Sequence, residues 1–290
     1  MTPTLESEPR AKVGEILKKV TTIATLPQVT TQIIRTVEDP RSTANQLHKI
    51  VSHDPALVAR ILKVVNSAFY GLPGQIGSIE RAIVVLGLNG VKNIAVAASL
   101  GQLFRGAMLC EGVSAKDLWT HCIAVAVASR DLARNLKVGN PDEAFLAGLI
   151  HDVGILVSLQ LYPERLRQVC EAARGGAGSF CELERKLIGW DHQQLGMGLS
   201  EQWKFPHSCQ LVAGHHHEPH FSTEPQDWLL SIVHVADTLC CHSKHGCNLT
   251  ARQQSLSDES LAQMRMDPAT VAFTSNRLDE LVNQATAVLG

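Results

Sequence analysis

The stretch Leu149-Ile150-His151-Asp152-Val153-Gly154 decides how this chain folds. It sets a His-Asp pair into an apolar run. Phe145, Leu146, Leu149, Ile150, Val153, Leu156, Val157 and Leu159 surround the pair on almost every side of a helix, the pattern of a buried helix rather than a surface one. Burying a carboxylate and an imidazole there costs on the order of several kcal/mol unless each is paired or bound to a metal. A core histidine beside an Asp that holds a backbone group or an Arg would satisfy the same dipeptide, so the rest of the chain has to separate the two.

The 290 residues are 45% hydrophobic and only 4% aromatic, and they are rich in Ala, Leu and Val, which favours helices over a β-sandwich. A net charge of -2 and a pI near 6.7 give no overall field toward nucleic acid or anionic lipid. Residues 1–10 are polar, without the apolar segment of a secretion signal, and no stretch reaches 18 uninterrupted apolar residues. The expectation is a cytoplasmic protein with no membrane or nucleic-acid partner. The eight cysteines then read as reduced, mostly buried thiols. Cys240-Cys241-His242, His245 and Cys247 lack a paired C-x-x-C and are cramped for tetrahedral zinc, so they are read as a helix end.

Along the chain, residues 1–11 read as a disordered tail, 12–108 as a lobe of short helices, and 109–290 as a second helical lobe, with a hinge at 106–112. Ser42 ahead of 43–46, Asp54-Pro55, Ser78 and Asn89 mark helix starts, and Gly87 marks a stop. The pair of helices at 78–104 has a helix-turn-helix outline, but Lys92 is the only basic residue of its second member, so an αα-hairpin is the better reading. Longer helices are expected at 114–136, 141–161, 163–174, 181–188, 191–203, 206–216, 225–242, 257–264 and 276–289. No segment alternates long enough for a confident strand.

Histidines and carboxylates recur on these helices. Ser114-Ala115-Lys116-Asp117 has capping-box form, and Asp117 stacks four residues below His121, which lies among Leu118, Cys122, Val125 and Ala128. Asp191 can cap the helix that opens with His192. His215-His216-His217 close another helix, and Asp237 follows His234 by three residues on an apolar run. Each of His121, His151-Asp152, His192, His216-His217 and Asp237 sits on its own helix. Imidazole and carboxylate without thiolate suit Fe, Mn or a similar divalent ion better than structural zinc, and seven ligands suit two ions sharing a carboxylate. His234 reads as a core histidine or as support for a ligand.

The order H…HD…H…HH…D resembles the HD superfamily of metal-dependent phosphohydrolases, and its wording resembles the HDOD (HD-related output domain) branch. That likeness rests on Leu26-Pro27, Asp54-Pro55-Ala56-Leu57, Val65-Asn66-Ser67-Ala68, Gly77-Ser78-Ile79 and Leu86-Gly87 in the first half. In the second it rests on the His151-Asp152 stretch, Gly189-Trp190-Asp191-His192, Trp203, Pro206 and His216-His217-Glu218-Pro219. The resemblance implies an all-α protein in two lobes. Residues 12–108 would form the N-terminal bundle and 109–290 the HD-like lobe that carries the metal. The implied ligands are His121, His151, Asp152, His192, His216, His217 and Asp237, with Asp117 an eighth candidate, because related HD-GYP phosphodiesterases use an acid four residues before the first His.

Two departures bear on activity. Those phosphodiesterases carry a lysine where Ile155 stands, and Gly-Tyr-Pro after His-His-Glu, where this chain reads Glu218-Pro219-His220-Phe221. The resemblance therefore implies a bacterial signal-transduction output module that holds one or two ions of Fe or Mn and acts on a signalling protein partner. The alternative is a phosphohydrolase or phosphodiesterase acting on a nucleotide or cyclic dinucleotide, with Asp152 bridging two ions. An apo scaffold with a vestigial site is the third reading.

Overall fold

Caps written in the sequence set where the helices begin. The computed structural model describes residues 7–20, 26–218, 227–245 and 247–290. After α1 (Ser7–Leu17) and α2 (Gln28–Glu38), Thr43 closes a capping box with Gln46 at the head of α3 (Ala44–Ser52), one residue after the expected Ser42. Asp54 accepts from the Leu57 N–H and, with Pro55 at the first position, starts α4 (Pro55–Val65). Ser78 caps α5 (Ile79–Leu100), which runs through a kink at Gly87, where φ is 73°. Gly87 itself is not helical (φ 73°, ψ 176°), so the expected stop stands: two helical segments meet there, the second following from Asn89. Lys92 on that helix is buried and paired with Glu38 at 2.5 Å, so it is not available to a phosphate backbone.

The expected hinge is a packed hairpin instead. β1 (Met108–Cys110) pairs antiparallel with β2 (Val113–Ser114), turning at Gly112 with φ 74°. Leu109 and Cys110 are buried, and Arg174 donates to the Glu111 carbonyl at 2.6 Å, which ties the turn down. The lobe boundary read at 108/109 falls inside this hairpin.

Beyond it come α6 (Ala115–Leu136), α7 (Pro141–Ile150), α8 (Gly154–Leu161), α9 (Pro163–Arg174), α10 (Phe180–Leu187), α11 (His192–Gln202), α12 (His207–His215), α13 (Asp227–Cys241), α14 (Asp258–Gln263) and α15 (Pro268–Leu289). α6 is the axis. It is buried without a break from His121 to Arg130, and α7, α13 and α15 pack around it.

Two further expectations are corrected. The tail read at 1–11 ends earlier, because α1 begins at Ser7 and buries Val13, Ile16 and Leu17; α11 receives it at Gly198, where a Cβ would lie 2.6 Å from Val13. Residues 1–6 lie outside the described residues. The last helix begins at Pro268 rather than near 276, since Asp267-Pro268 is the same cap-and-proline signal as Asp54-Pro55. The stretches Ile79–Leu100 and Pro141–Leu161 have the length and hydropathy to cross a bilayer, but 61% and 83% of their apolar windows are buried within the protein's own core.

Candidate metal centre

The helix expected at 141–161 tightens where the His-Asp pair lies. Val153 N–H bonds to the Ile150 carbonyl, Ile155 to Asp152, and Leu156 to Val153, a run of i→i+3 bonds that ends α7 and starts α8. α11 crosses so closely there that a Cβ on Gly154 would sit 1.9 Å from the His192 carbonyl oxygen. The tightened turn and this contact bring His192 beside His151 and Asp152. His121 comes from α6, His216 and His217 from the C-terminal end of α12, and Asp237 from α13. The side chains of His121, His151, Asp152, His192, His216 and Asp237 are 0% exposed, and that of His217 is 5% exposed.

All seven converge as two adjoining groups of ligand atoms. Asp152, His192, His216 and His217 form one and His121, His151 and Asp237 the other, with the atoms of each within 4.8 Å of one another. Asp152 faces both. Its Oδ1 lies 3.3 Å from His192 Nε2 and 3.4 Å from His216 Nε2; its Oδ2 lies 3.3 Å from His151 Nε2 and 3.7 Å from His121 Nε2. Asp237 Oδ1 is 3.0 Å from His121 Nε2, and its Oδ2 is 3.5 Å from His217 Nδ1. Most of these separations are long for a hydrogen bond. They match the roughly 3 to 3.5 Å expected between neighbouring ligands that each lie about 2.1 Å from one shared ion.

The outer ring nitrogens settle the tautomers. His151 Nδ1 lies 2.7 Å from the Gly148 carbonyl, His216 Nδ1 3.1 Å from that of Val212, and His192 Nδ1 2.5 Å from Glu184 Oε2. Each acceptor takes the Nδ1 proton, so each ring, once Nε2 gives up its proton to an ion, turns an Nε2 lone pair inward. Those three Nε2 atoms, both nitrogens of His121 and both oxygens of Asp152 are buried without a hydrogen-bond partner. So many orphaned lone pairs in one place have one economical explanation, a divalent cation set that they ligate. Burial drives His216 down to about 4 and His217 well below the ordinary histidine range, so both are neutral and ready to ligate at pH 7. Burial opposes charge on His192 as well, but Glu184 outweighs it and raises the ring to about 9.

Glu184 escapes the sequence reading, although a signal for it exists. Phe180, Cys181, Leu183, Glu184 and Leu187 share the inward stripe of α10, and a carboxylate on an apolar stripe demands a partner. Besides His192 Nδ1, Glu184 also accepts from the His192 backbone N–H at 2.9 Å. The grouping of Cys181 with Glu184 and His192 is support for His192, since burial pushes the Cys181 thiol up and keeps it protonated.

The eighth candidate, Asp117, is committed elsewhere: its carboxylate accepts from the Ser114 N–H at 2.8 Å and the Ser114 hydroxyl at 2.6 Å, closing the capping box of α6. His234 supports the centre through Nδ1, 2.7 Å from the His216 carbonyl. Cys240, Cys241 and Cys247 are buried free thiols at the end of α13, with Cys241 Sγ 3.6 Å from Asp237 Oδ1.

A cavity opens on the centre at His217. It holds about 310 Å³ and is lined by Ser179, Phe180, His217, Thr250, Arg252 and Gln254. The Gln254 carboxamide sits 2.8 Å from His217 Nδ1. Ile155, in the place of the lysine, is wholly buried, and the Pro219-His220-Phe221 departure lies outside the described residues.

The HDOD domain family matches residues 23–219. A curated relative from Treponema pallidum (strain Nichols), an uncharacterized protein, is 26% identical over 241 residues; the match covers 80% of this chain, which spans 45% of that relative's length. The crystal structure of an HDOD domain protein of unknown function from Geobacter sulfurreducens superposes with TM-score 0.81 at 22% identity, covering 97% of this chain and 98% of the other. A Marinobacter aquaeolei VT8 structure provisionally named for signal transduction gives TM-score 0.77 at 21% identity, covering 99% of this chain and 66% of the other. The match over residues 23–219, more than half of the sequence, shows that the chain belongs to the HDOD domain family.

Proposed function

We propose that this protein is a signal-transduction output module built around a two-ion centre of Fe or Mn, and that it acts by contact with a signalling protein. The observation that carries this reading is closure. A phosphoester substrate has to touch the ions, yet six of the seven ligands have no exposed side-chain surface, and closed coordination is the mark of a structural or sensing metal. Ile155 adds to it by leaving the interior without the cation that would hold a phosphate. The signal-transduction name of the Marinobacter protein agrees with this role.

A second reading, a metal-dependent phosphohydrolase or a phosphodiesterase akin to the HD-GYP enzymes, draws support from the cavity at His217. Arg252 stands at that cavity with no ion pair or hydrogen bond among the described residues and offers a cation from a different direction than the missing lysine. When bound, two divalent ions would supply Lewis acidity toward a phosphate ester and acidify a water. The two readings separate on turnover. Protein loaded with Mn or Fe under anaerobic conditions, offered cyclic dinucleotides, nucleotides and generic phosphodiesters, should release no product; turnover that Asp152→Ala abolishes would establish the enzyme instead.

A further inference from the structure

Away from the metal centre, the ends of four helices meet around a second and larger cavity of about 690 Å³. Its walls carry Arg60 and Lys63 from α4, Arg105 just beyond α5, and Lys116 from the first turn of α6. Trp119 forms part of its lining, stacked 5.0 Å from Phe104 and fixed by an indole N–H bond to the Leu289 carbonyl at 2.8 Å. Gly101 lines it too, packed so tightly that a Cβ there would lie 3.1 Å from the indole.

Four cations therefore line one concavity, and no acidic side chain does. Among the described residues none of the four has a carboxylate within ion-pair distance, although the chain as a whole carries a net charge of -2. Arg60 bonds only to neutral oxygens, the Ala98 carbonyl at 3.2 Å and the Gln102 carboxamide. The C-terminal ends of α4, α5 and α15 offset part of this charge at roughly half a unit each, while the N-terminus of α6 adds about half a unit back. Counting a terminal carboxylate on Gly290 against them as well, the wall remains positive. Like charges gathered without counter-charge repel one another, and an anion relieves that repulsion.

From this geometry we infer a binding site for a small molecule bearing two or more phosphates, seated between α4, the end of α5 and the start of α6. Concavity and size suit a small ligand rather than a flat protein partner, since such pockets run from about 300 to 1,000 Å³. The Arg105 guanidinium and two ammonium groups suit phosphate oxygens, which accept bidentate and point-charge donors together, while Arg60, already bonded through its terminal nitrogens, adds charge to the wall. The site is separate from the metal centre, but α6 links the two: Lys116 and Trp119 precede His121 on the same helix.

The test is calorimetric titration of tripolyphosphate, with citrate as a polycarboxylate control, into the metal-stripped protein at physiological salt. Stripping removes any ion that could anchor phosphate at the other site, so the result stands whether or not the metal reading does. Lys63 and Arg105 are exposed, so Lys63→Ala/Arg105→Ala should keep the fold, checked by an unchanged melting curve. The expected result is tripolyphosphate binding tighter than about 1 mM, tighter than citrate, and weakened about fivefold or more in the double variant. Weaker binding, equal citrate binding, or a smaller loss in the variant would overturn the inference.

Discussion

Glu184 shows how a single buried carboxylate can govern a centre it does not join. Through Oε2 it holds both the Nδ1 and the backbone N–H of His192, which fixes the ring and leaves Nε2 aimed at Asp152 Oδ1. Removing the charge while keeping the shape, Glu184→Gln, should weaken metal binding by about 10- to 100-fold with the helical fold retained. Competition titration against a fluorescent chelator reads this directly, and unchanged affinity would show that His192 needs no such support. Asp117 is the contrasting case. A spacing of four places it below His121, but a spacing of three from Ser114 makes it a cap, and the Ser114 hydroxyl and N–H claim its carboxylate first.

At the scale of elements, the turn between α7 and α8 is where fold and site are the same thing. Gly154 has no room for a methyl group beside the His192 carbonyl, so Gly154→Ala should push α8 from α11 and cost about 1 to 3 kcal/mol, more if the helices cannot shift. Urea unfolding measures that loss, and the variant should also lose metal, because the same displacement carries His192 away from Asp152.

Much of this architecture was legible because local signals carried it: caps at Ser114, Asp191 and Asp54-Pro55, and apolar faces on the long helices. What was not legible depended on contacts between distant segments. Apolar periodicity runs straight through 141–161, and nothing local announces the tightened turn that the crossing of α11 accompanies. The hairpin at 108–114 is too short to alternate, and α1 packs against α11, a contact that its own residues do not announce. The seven converging residues were readable from their types and order. Glu184 left only the weaker signal of a carboxylate on an apolar stripe, since its partner lies eight residues away at the head of the next helix.

For the whole molecule, the centre is a concentration of buried polar groups that protons and metals compete for. His216 has a folded value near 4, below its ordinary 6.5, so the unfolded chain binds its proton first as pH falls. Stability of the metal-free protein is therefore lost between about pH 6.5 and 4, by a few kcal/mol from this group alone. His192 has the opposite sign: its value near 9 gives stability that is full below 6.5 and fades as pH rises through 9. Thermal melts of metal-free protein should show the acid loss clearly, and added Mn should raise the melting temperature at pH 7, the rise continuing with the logarithm of free Mn once the sites are filled. A melting temperature indifferent to metal would mean the orphaned lone pairs are satisfied in another way.

The account rests on Asp152 facing two ions at once, and elemental analysis of anaerobically prepared protein tests this most directly. The prediction is about two ions per chain in the native protein, about one in His192→Ala, and almost none in Asp152→Ala, because only the last removes a ligand from both groups. Fewer than about 0.2 ions per native chain, or an Asp152→Ala protein that keeps both, would contradict it.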